Sequence, residues 1–412
     1  MTPPGTARQA VVTVVGPRAW RRSLMLVAAG VFLAQVAFSL VVPFLPMFLR
    51  ELGVRDGTSL WSGLAYSVTC LAAGVMAPVW GSLADRYGKK PMIVRAGVGM
   101  AITYLLMALV TDPVQLVIVR LLNGVVSGFI PAAIMLVSCT CPDEELAVSL
   151  GVVQAIGAAG GIMGPLLGGI MAGLVGIRTS MLVTAVLLVV AAVFPVVAVR
   201  EERPSCREVS TIAADLRATL ADPSLRVLFL VLGLAQAAVL VTQPTLPLWI
   251  EHLVPHRAEL VTGAVFSVVG IATVVGSPLV VRLARVPYRV ILLTSLFVSA
   301  LFSVLQAIPR DPWGLGAFRF FFGLGNAGIT VAGNTLIARC VGREARGRAF
   351  GVLNAFIYLG SVLGPLVGGA VGQGMGLDAS FYAGGVILLL CGLLLRSGWQ
   401  SVPGGDARQH TG

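Results

Sequence analysis

The sequence predicts an all-α polytopic membrane protein, with twelve transmembrane helices in two pseudo-symmetric six-helix bundles. Three observations carry that expectation. The 412-residue chain is 57% hydrophobic and only 11% charged, with a mean hydropathy of +0.92, whereas a soluble domain carries roughly a quarter charged residues. Its apolar residues fall into twelve runs near the roughly 20 residues that cross a bilayer. Six lie in each half, at about 24–48, 60–82, 91–110, 114–137, 147–173 and 180–199, then 225–250, 259–281, 288–307, 313–337, 347–373 and 379–396. Finally, Gly160-Gly-Ile-Met-Gly164-Pro165-Leu-Leu-Gly168-Gly169 returns as Gly360-Ser-Val-Leu-Gly364-Pro365-Leu-Val-Gly368-Gly369. Leu33-Ala34-Gln35, Pro43-Phe-Leu-Pro46, Gly63, Ser67, Pro78 and Arg120 likewise return as Leu234-Ala235-Gln236, Pro244-Thr-Leu-Pro247, Gly263, Ser267, Pro278 and Arg319. A period this long in a membrane chain means a duplicated unit in parallel orientation, a common way to build a transporter.

The polar stretches divide the chain into a tail at 1–23, a bundle at 24–199, a linker at 200–224, a second bundle at 225–397 and a tail at 398–412. With the N-terminus assigned to the cytoplasm, the termini and even-numbered loops hold 22 of the 29 Lys and Arg, and the odd-numbered loops hold 5. That asymmetry predicts cytoplasmic termini and accounts for the net charge of +11 without a nucleic-acid partner. Residues 1–23 are polar and the first apolar run is a full spanner, so no cleavable signal is expected. The six cysteines lack metal-ligand spacing with histidine, and no cofactor or metal is expected.

Taken in order, helix 1 carries Gln35 and Phe38, and helix 2 carries Tyr66 and ends in Gly81-Ser-Leu-Ala-Asp85-Arg86-Tyr-Gly88-Lys89-Lys90. Helix 3 is uniformly apolar, as are helices 6, 9 and 12, which suits a lipid-facing position. Helix 4 holds Arg120 and Asn123, and helix 10 holds Arg319, each arginine seven or eight residues inside its run. Helix 5 contains Gln154 and the first glycine-proline stretch. Helix 7 has Gln236 and Gln243, helix 8 has Phe266, and helix 11 has Asn354, Tyr358 and the second glycine-proline stretch. Polar groups are costly in hydrocarbon, so those on helices 1, 4, 7 and 10 are expected to face an interior pathway. Gln35 with Gln236 and Gln154 with Asn354 form symmetric pairs, and Tyr66 mirrors Phe266. A lining this sparsely polar suits amphipathic molecules better than sugars or phosphates. The bland alternative is that the amides only bridge helices.

The helix 2–3 loop matches G-x-x-x-D-R-x-G-[RK]-[RK], and here the chain resembles the major facilitator superfamily. The resemblance implies the major facilitator fold and alternating access. It implies that Asp85, at the N-terminal end of helix 11, latches the halves on the cytoplasmic side, together with Gly81, Arg86, Gly88, Lys89 and Lys90; in the second half Arg285 stands in the place of Asp85. A carboxylate at a helix N-terminus is favoured by the helix dipole, by about 0.3–1 kcal/mol. Arg120-Leu-Leu-Asn-Gly124 matches the family's R-x-x-x-G pattern, and the resemblance links Arg120, and by symmetry Arg319, to proton coupling or cavity electrostatics. Gly160–Gly169 matches the G-x-x-x-G-P-x-x-G-G motif of exporters. Small residues there allow close helix approach, and Pro165 and Pro365 bend their helices. Trp61-Ser-Gly63, Ala77 through Asp85 and Arg120 through Pro131 are most similar to the MdtG-like branch of twelve-helix drug:proton antiporters, which implies a bacterial inner-membrane multidrug efflux protein.

Two departures stand out. Loop 4–5, Pro142-Asp143-Glu144-Glu145, has no base, while Arg343, Arg346 and Arg348 occupy the corresponding loop of the second half. None of the 18 carboxylates lies in the middle of a spanning run, although proton antiport ordinarily uses a buried titrating group. Asp85, Glu251, Glu259, His252 and His256 are the remaining candidates. The reading is therefore a monomeric exporter of drugs or other amphiphilic molecules, with protons as the expected coupling ion and an importer or facilitator of one metabolite as the alternative. A channel would need a repeated filter ring. An enzyme would need a convergent catalytic set, and a primary pump a phosphate-binding loop; the chain shows none of these.

Overall fold

The computed structural model describes residues 17–198, 222–283, 285–341 and 346–398. The regular structure of those residues is entirely helical, without strands. Twelve spans are long and apolar enough to cross a membrane. In the first half they are α1 (Trp20–Glu51), α2 (Thr58–Tyr87), α3 (Lys89–Leu109), α4 (Pro113–Thr140), α5 (Val148–Val175) and α6 (Ile177–Pro195). In the second they are α7 (Pro223–Leu253), α8 (Pro255–Arg282), α9 (Tyr288–Leu305), α10 (Pro312–Cys340), α11 (Arg346–Gly374) and α12 (Ala379–Gly398). The linker expected at 200–224 lies almost wholly outside the described residues.

Three spans are interrupted, and proline explains each. In α1 a 3-10 turn at Val42–Phe44 joins helices Pro17–Val41 and Leu45–Glu51. In α7 a turn separates Pro223–Val241 from Leu246–Leu253. Pro43 and Pro244 stand at those turns and donate no backbone hydrogen bond, so the helix cannot pass through unbroken. In α4 the break falls at Ser127-Gly128, between Pro113–Val126 and Phe129–Thr140, with Gly128 at φ 115°. Pro131 leaves the Ser127 carbonyl without its i+4 donor. Arg95 of α3 donates to that carbonyl at 2.9 Å, and Trp80 of α2 donates from Nε1 to the Val125 carbonyl at 2.7 Å. The Arg95 guanidinium lies 3.5 Å from the Trp80 ring centroid. The counterpart α10 runs unbroken.

Each arginine-bearing helix starts on an aspartate cap. Asp112 accepts from the Val114 and Gln115 backbone N–H groups, and Asp311 accepts from that of Gly314, satisfying donors that a helix start leaves orphaned. Within each half, α1 packs on α5 and α6, α3 on α6 and α2 on α4; equivalently, α7 packs on α11 and α12, α9 on α12 and α8 on α10. The halves meet along two seams, α2 with α11 and α5 with α8. The helices outside the seams, α3, α6, α9 and α12, expose large apolar side chains such as Ile102, Val186, Leu301 and Leu393, as a surface bathed in lipid requires.

Candidate functional site

The two seams are built alike. Ser67 of α2 donates to the Val362 carbonyl of α11 at 2.6 Å, and Ser267 of α8 donates to the Ile162 carbonyl of α5 at 2.6 Å. Each carbonyl lies three residues before Pro365 or Pro165, next to the Ser361 or Gly161 carbonyl from which proline withdraws the helix donor. A methyl on Gly63 would strike the Pro365 carbonyl, and one on Gly263 would strike that of Pro165. Gly369 faces the Ser59 backbone of α2 and Gly169 faces the Glu259 backbone of α8. The remaining motif glycines turn inward. Gly160, Gly164 and Gly168 press on the α1 backbone at Phe32, Val36 and Leu40, while Gly360, Gly364 and Gly368 press on α7 at Gly233, Ala237 and Val241. One motif thus serves two contacts, within the bundle and across the seam.

Both seams are closed at the ends far from the termini and part at the other. On the far face, Arg50 of α1 and Glu251 of α7 form an ion pair at 2.9 Å, and Gln373 of α11 packs on Gly57. Toward the termini face, Gly81 of α2, Gly151 of α5 and Gly347 and Gly351 of α11 have no neighbour within 4 Å of a would-be Cβ. Gln154 and Asn354 are exposed on that side. The halves therefore meet at the far face and splay toward the termini.

Around the opening, Asp85 pairs with Lys89 at 3.4 Å, within its own loop. Gly88 turns that loop at φ 101°, and the Arg86 guanidinium stacks 5.3 Å from the Tyr87 ring centroid. Lys90 follows in the first turn of α3. Glu145 in the acidic loop 4–5 meets Arg21 at 3.5 Å. Arg343 lies outside the described residues.

Gln35, Gln236, Gln243, Tyr66, Phe266, Phe38 and Tyr358 are all half-buried. Gln236 reaches Ser361 Oγ at 3.5 Å. Tyr358 packs across the seam on Gly74. Asn123 differs from that group: it is fully buried and donates from Nδ2 to Thr103 Oγ1 at 2.7 Å, tying α4 to α3. Its amide serves the bundle interior in this conformation and not the cleft.

Arg120 is the largest fully buried side chain, at 1% exposure, too deep to snorkel to the surface. Its Nε donates to the Ala65 carbonyl of α2 at 3.3 Å, and Nη1 is buried without a partner. Tyr66, Cys70 and Tyr104 surround the guanidinium. Gly124, one turn on, lets α4 press against the Thr69 carbonyl, and Thr69 Oγ1 donates back to the Arg120 carbonyl at 2.8 Å. In the second half Arg319 donates from Nη1 to Gln306 Oε1 at 3.1 Å, and its guanidinium lies 5.4 Å from the Phe266 ring centroid. Gly323 presses on the Val269 carbonyl of α8. The R-x-x-x-G pattern is therefore a buried cation one turn before a close helix contact, in both halves.

Sequence reasoning overlooked the Arg50 side of the far-face ion pair and the Trp80–Arg95 support of the α4 break. The Pro-x-x-Pro repeats and Pro131 were visible signals for the breaks. Nothing in a linear pattern announced the side chains that satisfy them.

The chain was compared with known proteins. The Major Facilitator Superfamily model matches residues 27–285 and again 228–408. The chain is 33% identical over 405 residues to the "Multidrug resistance protein MdtG" of Enterobacter lignolyticus (strain SCF1), covering 95% of this chain and 97% of that protein. It is 34% identical over 369 residues to the "Multi-drug resistance efflux pump PmrA" of Streptococcus pneumoniae, covering 88% and 92% respectively. Among solved structures, the nucleoside transporter NupG superposes with a TM-score of 0.77 at 15% identity, over 92% of this chain and 100% of that one. A bacterial homolog of the human lysosomal transporter Spinster, inward-facing and unoccupied, gives 0.79 at 15% identity, over 93% and 97%. At such identity these two likenesses speak for the fold alone.

Proposed function

This chain belongs to the major facilitator superfamily, and from that premise we propose that it exports drugs or other amphiphilic small molecules across a bacterial cytoplasmic membrane. The observation that carries the reading is the pair of equivalent seams, joined at the far face and parted toward the termini. Two rigid halves meeting on glycine-lined contacts can rock about them, opening one side as the other closes. The excess of Lys and Arg in the termini-side loops assigns that side to the cytoplasm, so the cleft faces inward and both termini are cytoplasmic. The multidrug names of the relatives above and the helix 5 motif favour export over import.

In this reading the Asp85 loop is the cytoplasmic latch, disengaged here because its carboxylate is held by Lys89. The seam residues, from Gly160 to Gly169 with Gly360, Gly364 and Pro365, are the rocking surface. Gln35, Gln236, Gln243, Tyr66, Phe266, Phe38, Tyr358, Gln154 and Asn354 line the substrate path. Arg120 and Arg319 set its electrostatics and the coupling to protons. A single chain supplies both halves of the site, so the working unit is a monomer. The reading is tested in proteoliposomes carrying a fluorescent drug and a pH dye. Drug flux driven by an imposed pH gradient, with reciprocal proton flux and loss of both in Asp85→Asn, is the expected result. Flux that ignores the gradient removes the proton, and accumulation of one nutrient instead of drugs favours the importer.

A further inference from the structure

Both deep arginines lack a counter-charge. Ion pairs among the described residues join Arg21 to Glu145, Arg50 to Glu251 and Lys89 to Asp85; none involves Arg120 or Arg319. The described carboxylates lie at span ends or in loops, and those nearest along the chain, Asp112 and Asp311, are committed to capping α4 and α10. A buried cation without an anion is among the least favourable arrangements in a membrane, and its retention marks a functional site. Arg319 donates from Nη1 to Gln306, with the Phe266 face beside it, and keeps Nε buried without a partner. Arg120 spends its Nε on a carbonyl and keeps Nη1 unpaired, and the Asn123 Oδ1, on α4, is also buried without a partner.

We infer that the missing charge arrives with the cargo: Arg120 anchors the anionic group of an amphiphilic organic anion, whose apolar body lies against Tyr66 and Tyr358. The inference rests on the export reading. A planar guanidinium with unspent donors matches a carboxylate or similar oxyanion, and Tyr66, which lies beside Arg120, is only half-buried. A cationic drug would find no acid in the middle of a span to pair with. Beyond the proton exchange of that reading, outward movement of a monoanion is also driven by an inside-negative potential, sustaining about a 50-fold gradient per 100 mV.

The test uses full-length protein in proteoliposomes under a valinomycin–potassium diffusion potential, without a pH gradient. Three dansyl probes share one body: dansylglycine, an anion; its methyl ester, which is neutral; and dansylcadaverine, a cation. Protein-dependent flux of dansylglycine toward the positive compartment, at least ten-fold above that of dansylcadaverine and reversing with the potential, is the expected result. Arg120→Gln should lose at least ten-fold of that flux while eluting as a monodisperse species, and Arg120→Lys should recover part of it. Should the glutamine variant fail to fold, the wild-type comparison of anion with cation still decides. Transport of dansylcadaverine or the ester without dansylglycine overturns the anion and leaves the export reading standing. Silence with all three probes, in vesicles holding folded protein, removes both.

Discussion

The two halves of this molecule were cast from one template, yet they have kept different things. The seams are matched to the residue, with Ser67 and Ser267 each reaching a carbonyl at 2.6 Å and Gly63 and Gly263 each lying against a proline carbonyl. The polar interiors are not matched. Arg120 donates to the Ala65 carbonyl among tyrosines and keeps Nη1 unspent, whereas Arg319 donates to the Gln306 side chain and keeps Nε unspent. Break, tryptophan and arginine occur together in the first half, at Ser127-Gly128, Trp80 and Arg95, while α10 is continuous and positions 280 and 295 hold Val280 and Ser295. The lesson is that rocking needs two equivalent hinge surfaces, which holds the seams to symmetry, whereas one cleft needs only one chemistry, which frees the interiors to diverge.

The adjacent glycines of each motif offer the sharpest way to break that comparison. Gly168→Ala and Gly368→Ala drive a methyl into the α1 and α7 backbones. Overpacking of this kind costs about 1–3 kcal/mol, and both variants should melt earlier by similar amounts in a detergent thermal-shift assay. Gly169→Ala and Gly369→Ala meet the opposite half instead; they should leave melting nearly unchanged and widen the far face, read as spin-label distances between α1 and α7. Equal melting losses at 168 and 169 would mean that the motif has no division of labour.

Trp80→Phe comes next. It strands the Val125 carbonyl and removes the stacking surface of Arg95, a loss of about 1–3 kcal/mol for an orphaned buried group. Val280→Ala in the second half should fall well below it, and similar losses at the two sites would erase the asymmetry of the α4 break.

Ser67→Ala and Ser267→Ala should each weaken the seams by about 1 kcal/mol, and by the same amount if the hinges are equivalent. Spin-label populations of the two variants, alone and combined, check both the size and the match. The smallest effect belongs to Glu251→Gln. A partly exposed ion pair contributes about 0.2–1 kcal/mol, so its loss should shift the far face toward opening only a few-fold, with the swap Arg50→Glu plus Glu251→Arg restoring the balance. A larger shift would mark the pair as a principal latch.

Much of this was readable before any coordinates. Hydrocarbon thickness and the cost of unpaired backbone in lipid turn apolar run length into helix number, which is why all twelve spans matched twelve runs, from 24–48 to 379–396. The 200-residue repeat announced the paired halves, and the spacing of Gly160, Gly164 and Gly168 announced a close helix contact. The contact partner was less legible: most motif glycines serve their own bundle, and only Gly169 and Gly369 address the other half. Asn123 looked like a cleft residue because a polar group in a membrane run points inward, but inward can mean toward α3 as readily as toward a cavity.

Composition, period and charge bias therefore determined the class of molecule, its helix count, its duplication and the depth of its arginines, because each follows from one-dimensional rules of burial and lipid thickness. The tertiary structure alone decided which carbonyl each serine reaches, which face of the seams is shut, who satisfies the α4 break and that, among the described residues, Arg120 has no anion paired with it. Those are facts about neighbours far apart in the chain, such as Ser67 with Val362 and Arg50 with Glu251, and a linear pattern holds no distance between them until the helices pack.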